Sequence, residues 1–199
     1  MRNKIILAMA AAGMMCAAPA FAVEIANNDA GGGTITFSGS VINAPCSISP
    51  DSQNIQASLG EVSTKGLTTV GSVSPAPAKI QINLNGCAFE EHPSEGKPNP
   101  DYGLLSKVDV EFSNYTVVDA PTGIIKNTAS VNPAKNVDIQ ILRGNMQPFN
   151  LTNGATTGTA TQLTTGANQL ILWARMISKD GGGAVGNVGA TITYKLKYF

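Results

Sequence analysis

Histidine is nearly missing from this chain: His92 is the only one in 199 residues, and cysteine occurs three times. With one imidazole, Ser-His-Asp catalysis or a multi-histidine metal site would have to converge on His92. That residue stands beside Glu90 and Glu91 in "FEEHPSEGKPNPDYG", a polar stretch rich in Pro and Gly that reads as an exposed loop. Catalytic zinc wants three protein ligands on a rigid frame, so a solvated loop histidine is the better reading. Glu90 and Glu91 point in different directions along an extended chain and serve solubility rather than acid–base work. Glycine triplets occur at 31–33 and 181–183, but neither leads into Lys-Ser/Thr and a helix, so phosphate cradling is not expected. Charge is scarce as well, at 13% of residues, and no cluster of Lys and Arg offers a nucleic acid or an acidic membrane face a footprint. The expectation is a protein that is not an enzyme, with no metal and no cofactor.

Long apolar runs are also absent, except at the start. Arg2 and Lys4 precede an apolar stretch from Ile5 to Cys16, and Ala20-Phe21-Ala22 is a small-x-small cleavage signal. Residues 1–22 therefore read as a secretory signal peptide, too short and wrongly flanked for a membrane span. The rival reading, a lipoprotein acylated at Cys16, is opposed by the bulky Met15 before it. Cleavage after Ala22 leaves 177 residues, enough for one domain with a sizeable core. Losing Arg2 and Lys4 leaves 11 basic against 13 acidic residues, a net charge of −2. No later run approaches a bilayer span, so membrane insertion is not expected. Only Cys46 and Cys87 remain after cleavage, and in an oxidising compartment an even pair reads as one disulfide. A two-cysteine metal or redox site has neither the Cys-x-x-Cys spacing nor a histidine partner. Closing a loop of about 41 residues would stabilise by about 4 kcal/mol in the chain-entropy model.

What is abundant is period-two alternation. Ile80, Ile82 and Leu84 alternate in "AKIQINLNGC", Val108, Val110 and Phe112 in "KVDVEFSNYT", and Val137, Ile139 and Ile141 in "NVDIQILRGN". "QLILWARMIS" is more continuously apolar and suits a central strand covered on both sides. Val188, Ala190, Ile192, Tyr194, Leu196 and Tyr198 alternate to the last residues. Short strands separated by turn residues, with 21 Gly and 11 Pro, predict an all-β sandwich or barrel. "TNGATTGTATQLTTGANQ" reads as a long loop or ragged edge. The acceptor-like triplets at Asn114 and Asn150 read as ordinary strand and loop text.

The pattern leaves two loose ends. In "GGGTITFSGSVINAPC", Ile35, Phe37, Gly39 and Val41 alternate with polar residues behind a flexible lead. The final alternating strand has nothing after it to cover its hydrogen-bonding edge. An uncovered apolar edge strand is a hazard unless something pairs with it, and a tethered strand filling a groove is β-strand addition.

"GGTITFSGSVINAPC", "INLNGC", "VDVEFSNYT", "VDIQILRGN", "LILWARMIS" and the closing "GNVGATITYKLKYF" resemble, in order and spacing, the subunits of chaperone–usher fimbriae of the type 1 pilin-like family. The resemblance spans essentially the whole mature chain. It implies an incomplete immunoglobulin-like β-sandwich lacking its last strand, completed by a donor strand from another subunit. It implies the organisation 1–22 signal peptide, 23–43 N-terminal extension with donor strand, and 44–199 pilin domain. Ile35, Phe37, Gly39 and Val41 would be the donor's inward positions, with Gly39 where no side chain fits. Gly186, Val188, Ala190, Ile192, Tyr194, Leu196 and Tyr198 would form the accepting groove. The implied partners are other pilin subunits, a periplasmic chaperone and an outer-membrane usher. The implied location is a fimbrium on the bacterial surface, where the subunit contributes to cell adhesion. Two features depart from the family: a longer loop at 89–103, and Trp173 in place of a smaller aromatic. The competing readings are a self-complete secreted β-sandwich binding module of lectin type, and a small periplasmic enzyme.

Overall fold

The structure, a computed structural model, describes residues 33–89 and 105–199. The signal segment, Gly31 and Gly32, Glu90, Glu91 and His92, and all of the 89–103 loop except Phe89 lie outside the described residues. The chain divides into two units, Met1–Val41 and Ile42–Phe199. The described part of the first, residues 33–41, forms no strand and is exposed throughout.

Among its described residues the second unit holds ten strands: β1 (Ser47–Ile48), β2 (Ser72–Val73), β3 (Ala78–Cys87), β4 (Lys107–Ser113), β5 (Val117–Asp119), β6 (Ile124–Ile125), β7 (Asp138–Arg143), β8 (Thr161–Gln162), β9 (Gly166–Ser178) and β10 (Thr193–Tyr198). One sheet runs β1-β3-β9-β7-β6-β5, with β2 pairing the far part of β9; the other runs β10-β4-β8. Every paired register is antiparallel. Two short 3-10 turns, Pro50–Ser52 and Thr64–Leu67, are the only helical elements among the described residues, and no helix there is long and apolar enough to cross a membrane.

The alternation in the sequence maps onto the pleat. In β3, Ile82 and Leu84 are buried while Lys79, Gln81 and Asn83 share the opposite face. There Lys79 Nζ donates to Gln81 Oε1, and Gln81 Nε2 to Asn83 Oδ1, both at 2.8 Å. Val108 and Val110 of β4, Ile139 and Ile141 of β7, and Leu170, Leu172 and Ala174 of β9 complete one core shared by both sheets. Strand β9 is central, bonded to β3 along one edge and to β7 along the other. Its faces are unequal, however. Ile171, Trp173 and Arg175 are only half-buried, so the continuous apolar run reflects one closed face and one partly open one. Trp173 sits opposite Lys79 and Leu142 on that outer face.

Cys46 and Cys87 form a disulfide with a Cα–Cα distance of 4.1 Å, and both are buried. It joins the approach to β1 to the end of β3, whose ladder pairs Ser47 with Asn85 and Ile48 with Leu84. The short edge strand β1 thus gains a covalent anchor that two ladder pairs alone would not supply.

Candidate functional site

Strand β10 lies at the edge of its sheet, paired with β4 from Thr193↔Ser113 to Tyr198↔Val108. Among the described residues no strand pairs with its second edge. Thr193, Lys195 and Lys197 face solvent, while Tyr194, Leu196 and Tyr198 pack against the core yet stay half-exposed. Across from them Ile48, Ile55 and Leu59 pack on the same core, also partly exposed. The Tyr194 hydroxyl donates to the Ser52 carbonyl, reaching from β10 to the turn after β1. Burial, and for Tyr194 the nearby Asp51, raises its pKa above the ordinary tyrosine value; burial and Tyr194 do the same for Tyr198. The result is a strip of half-covered apolar side chains beside an unpaired backbone edge. Such a strip can take an extended chain by main-chain hydrogen bonding, with alternate side chains in the core.

The ladder of β10 is shorter than the alternating run from Val188 onward. Residues 184–189 pair instead with 127–135: Ala184 N donates to Lys135 O (3.0 Å), Asn187 N to Asn132 O (2.7 Å), and Thr128 N to Gly189 O (2.8 Å). Val188 and Ile192 still pack on the core, whereas Ala190 is exposed beside an open cleft lined by Tyr115, Lys126 and Thr191. Gly186 marks the closest approach in this strap. A Cβ there would lie 2.4 Å from Ala134 N and 2.6 Å from Asn132 O, a distance no side chain tolerates.

The N-terminal alternation behaves differently. Ile35 is 76% exposed, Phe37 88%, and Val41 fully. Among the described residues nothing lies within 4 Å of where a Gly39 Cβ would stand.

One polar cluster escaped the sequence reading. Asp109 falls at an outward position of the β4 alternation yet is 4% exposed. It accepts from Arg143 Nη1 at 3.1 Å, Val110 N at 2.9 Å, Thr156 N at 3.2 Å and the Thr159 hydroxyl. Burial alone would raise its pKa, but the hydrogen bonds from Thr159, Arg143 and Thr156, with the guanidinium charge, outweigh this and hold it below the usual value. Arg143 also stacks over the Phe149 ring at 4.3 Å. The pair links β4 to β7 of the other sheet and pins the Thr-rich segment that had read as a loose loop. Nothing in the local spacing announced this, because Asp109 and Arg143 are 34 residues apart.

A family model described as "Fimbrial protein" matches residues 35–199. The chain belongs to that family. It is 30% identical over 168 residues to the type-1 fimbrial protein A chain of Escherichia coli K12, covering 84% of each. It is 28% identical to the fimbrial subunit type 1 of Salmonella typhimurium over the full length of both. A solved chaperone–usher pilus structure aligns with a TM-score of 0.62 at 25% identity, covering 85% of this chain and 97% of that one. The P pilus rod subunit aligns at 0.51 and 22% identity, covering 78% and 100%, a likeness of fold alone. The fold is therefore the immunoglobulin-like sandwich lacking a strand, and the protein is a structural subunit of a bacterial surface fimbrium.

Proposed function

We propose that this subunit polymerises with other pilin subunits by donor-strand exchange. The segment holding Ile35, Phe37, Gly39 and Val41 of one copy adds to β10 of the next. The observation that carries this is the half-exposed strip of Tyr194, Leu196 and Tyr198 on an unpaired sheet edge, in a chain that also holds an exposed apolar alternation. Val188 and Ile192 extend the groove, Gly186 fixes the strap from which it starts, and Ala190 lies at its rim. The open space around Gly39 supports a requirement imposed by the acceptor rather than by its own chain. Until that exchange a periplasmic chaperone would cover the groove, and an outer-membrane usher would be the place of transfer. The organisation that goes with this reading is signal peptide 1–22, extension 23–43 and pilin domain 44–199; the division of the chain between Val41 and Ile42 lies two residues before the last of these boundaries. The role is structural and adhesive rather than enzymatic. No finding favours the self-complete lectin-like module.

A peptide covering Thr34 to Asn43 tests the reading directly. Added to purified subunit, it should raise the melting temperature and suppress aggregation. A subunit that is stable alone and indifferent to the peptide would refute the groove.

A further inference from the structure

The two poles of the sandwich differ, and the donor tether is short. At one pole lie the Cys46–Cys87 bridge and Gly166, the Cα partner of Cys87. Lys107 pairs with Gln162, just before Gly166, and exchanges backbone hydrogen bonds with Phe199, so the end of β10 points to the same pole. At the opposite pole Thr193 begins β10, and the strap formed by 127–135 and 184–189 carries two exposed apolar residues. Val131 is 64% exposed and Val185 87%. Asn187 Nδ2 donates to Val131 O at 2.7 Å, holding the two segments of the strap together.

A completed immunoglobulin-like sheet runs its last strand antiparallel to its neighbour. Ile35 of the donor then lies beside Tyr198, and Val41, six residues on, beside Ile192 at the Thr193 end of β10. From Val41 to Cys46 is five residues, at most about 18 Å of extended chain. The donor's own body, entered at Cys46, must therefore sit against the acceptor's Thr193 pole. Resting on the donor-strand reading above, we infer that Val131 and Val185 of one subunit dock on the disulfide pole of the next copy. The partner surface is the stretch from Ile42 to Cys46, where Ile42 is itself exposed. Each junction thereby gains a second contact beside the donor strand. The contact joins unlike surfaces, so it propagates as an open filament rather than closing a dimer.

Photo-crosslinking in assembled fibres tests this. A photoreactive residue at Val185 of the full chain should yield adducts mapping to residues 42–49 or 85–89 of a neighbouring copy. Adducts mapping only elsewhere, or none, overturn the docking. The double variant Val131→Glu, Val185→Glu gives a second readout. It should bind the Thr34–Asn43 peptide with the wild-type rise in melting temperature, yet lose fibre yield. A variant that assembles as wild type overturns the inference and leaves the groove standing. A wild-type subunit that ignores the peptide overturns the groove and this inference with it.

Discussion

Replacing Asp109 by alanine should destabilise the sandwich far more than a change at a polar strand position usually does. The carboxylate accepts four hydrogen bonds, and its removal strands Arg143 between the sheets. Breaking a buried ion pair by deleting one partner costs about 3–5 kcal/mol. The Arg143 side chain is 22% exposed and also reaches Thr159 O at 3.3 Å, so the low end, about 3 kcal/mol, is expected. For a domain of this size that corresponds to a fall in melting temperature of about 6–12 °C. Urea denaturation of the peptide-complemented subunit would measure it, beside Arg143→Met and the double variant. Coupling between the sites should reach about 0.5–3 kcal/mol.

The effect should also depend on pH. A carboxyl held below its usual value stabilises fully above the unfolded-chain pKa of about 3.9, and this is lost as pH falls through the lower folded value. Wild type and Asp109→Ala should therefore converge in stability in strong acid. A cost near zero at neutral pH, or additive single changes, would refute the claim that this pair locks β4 to β7.

Gly186→Ala should destabilise by about 1–3 kcal/mol or more through overpacking, because its Cβ would meet the Ala134 backbone at 2.4 Å; a melting curve equal to wild type would count against the strap. Phe37→Ala and Gly39→Leu should leave subunit folding and chaperone binding intact while fibre formation fails, the first by losing about 3–5 kcal/mol of burial if its pocket is closed. Normal polymerisation of both, or loss of chaperone binding by both, would place the segment within the subunit's own fold.

Much of the sandwich is legible because one side chain in two points inward. Ile80, Ile82 and Leu84, or Val108 and Val110, declare their strands through hydrophobicity alone. The disulfide is legible from parity once Cys16 is assigned to the expected signal peptide. What could not be read depends on partners distant in the chain. Asp109 looks like any outward polar residue until Arg143, Thr156 and Thr159 converge on it. The strand at Thr193 starts later than the alternation because 184–189 finds hydrogen-bond partners at 127–135, a choice no local pattern encodes. Trp173 and Ile171 made β9 look doubly buried, since an apolar residue on a half-covered face reads the same as one in a core.

The same physics explains why an alternating segment can stand exposed without contradicting its pattern. Ile35, Phe37 and Val41 would each gain about 1.5–3 kcal/mol on full burial, so on the donor-strand proposal their face as a whole is worth about 4.5–9 kcal/mol. The net stability of an entire domain is about 5–15 kcal/mol. A subunit that filled its own groove would hold that free energy within the monomer and have none left to join its neighbour. Leaving the groove open moves it to the junction, provided the incomplete sandwich survives until the strand arrives. The Cys46–Cys87 bridge anchors β1 to β3, the Asp109–Arg143 pair ties the two sheets together, and the Tyr194 hydroxyl ties a wall of the groove to the turn after β1. They stabilise the waiting state while the second edge of β10 stays unpaired, and that is the condition under which an unfinished fold can serve as a building block.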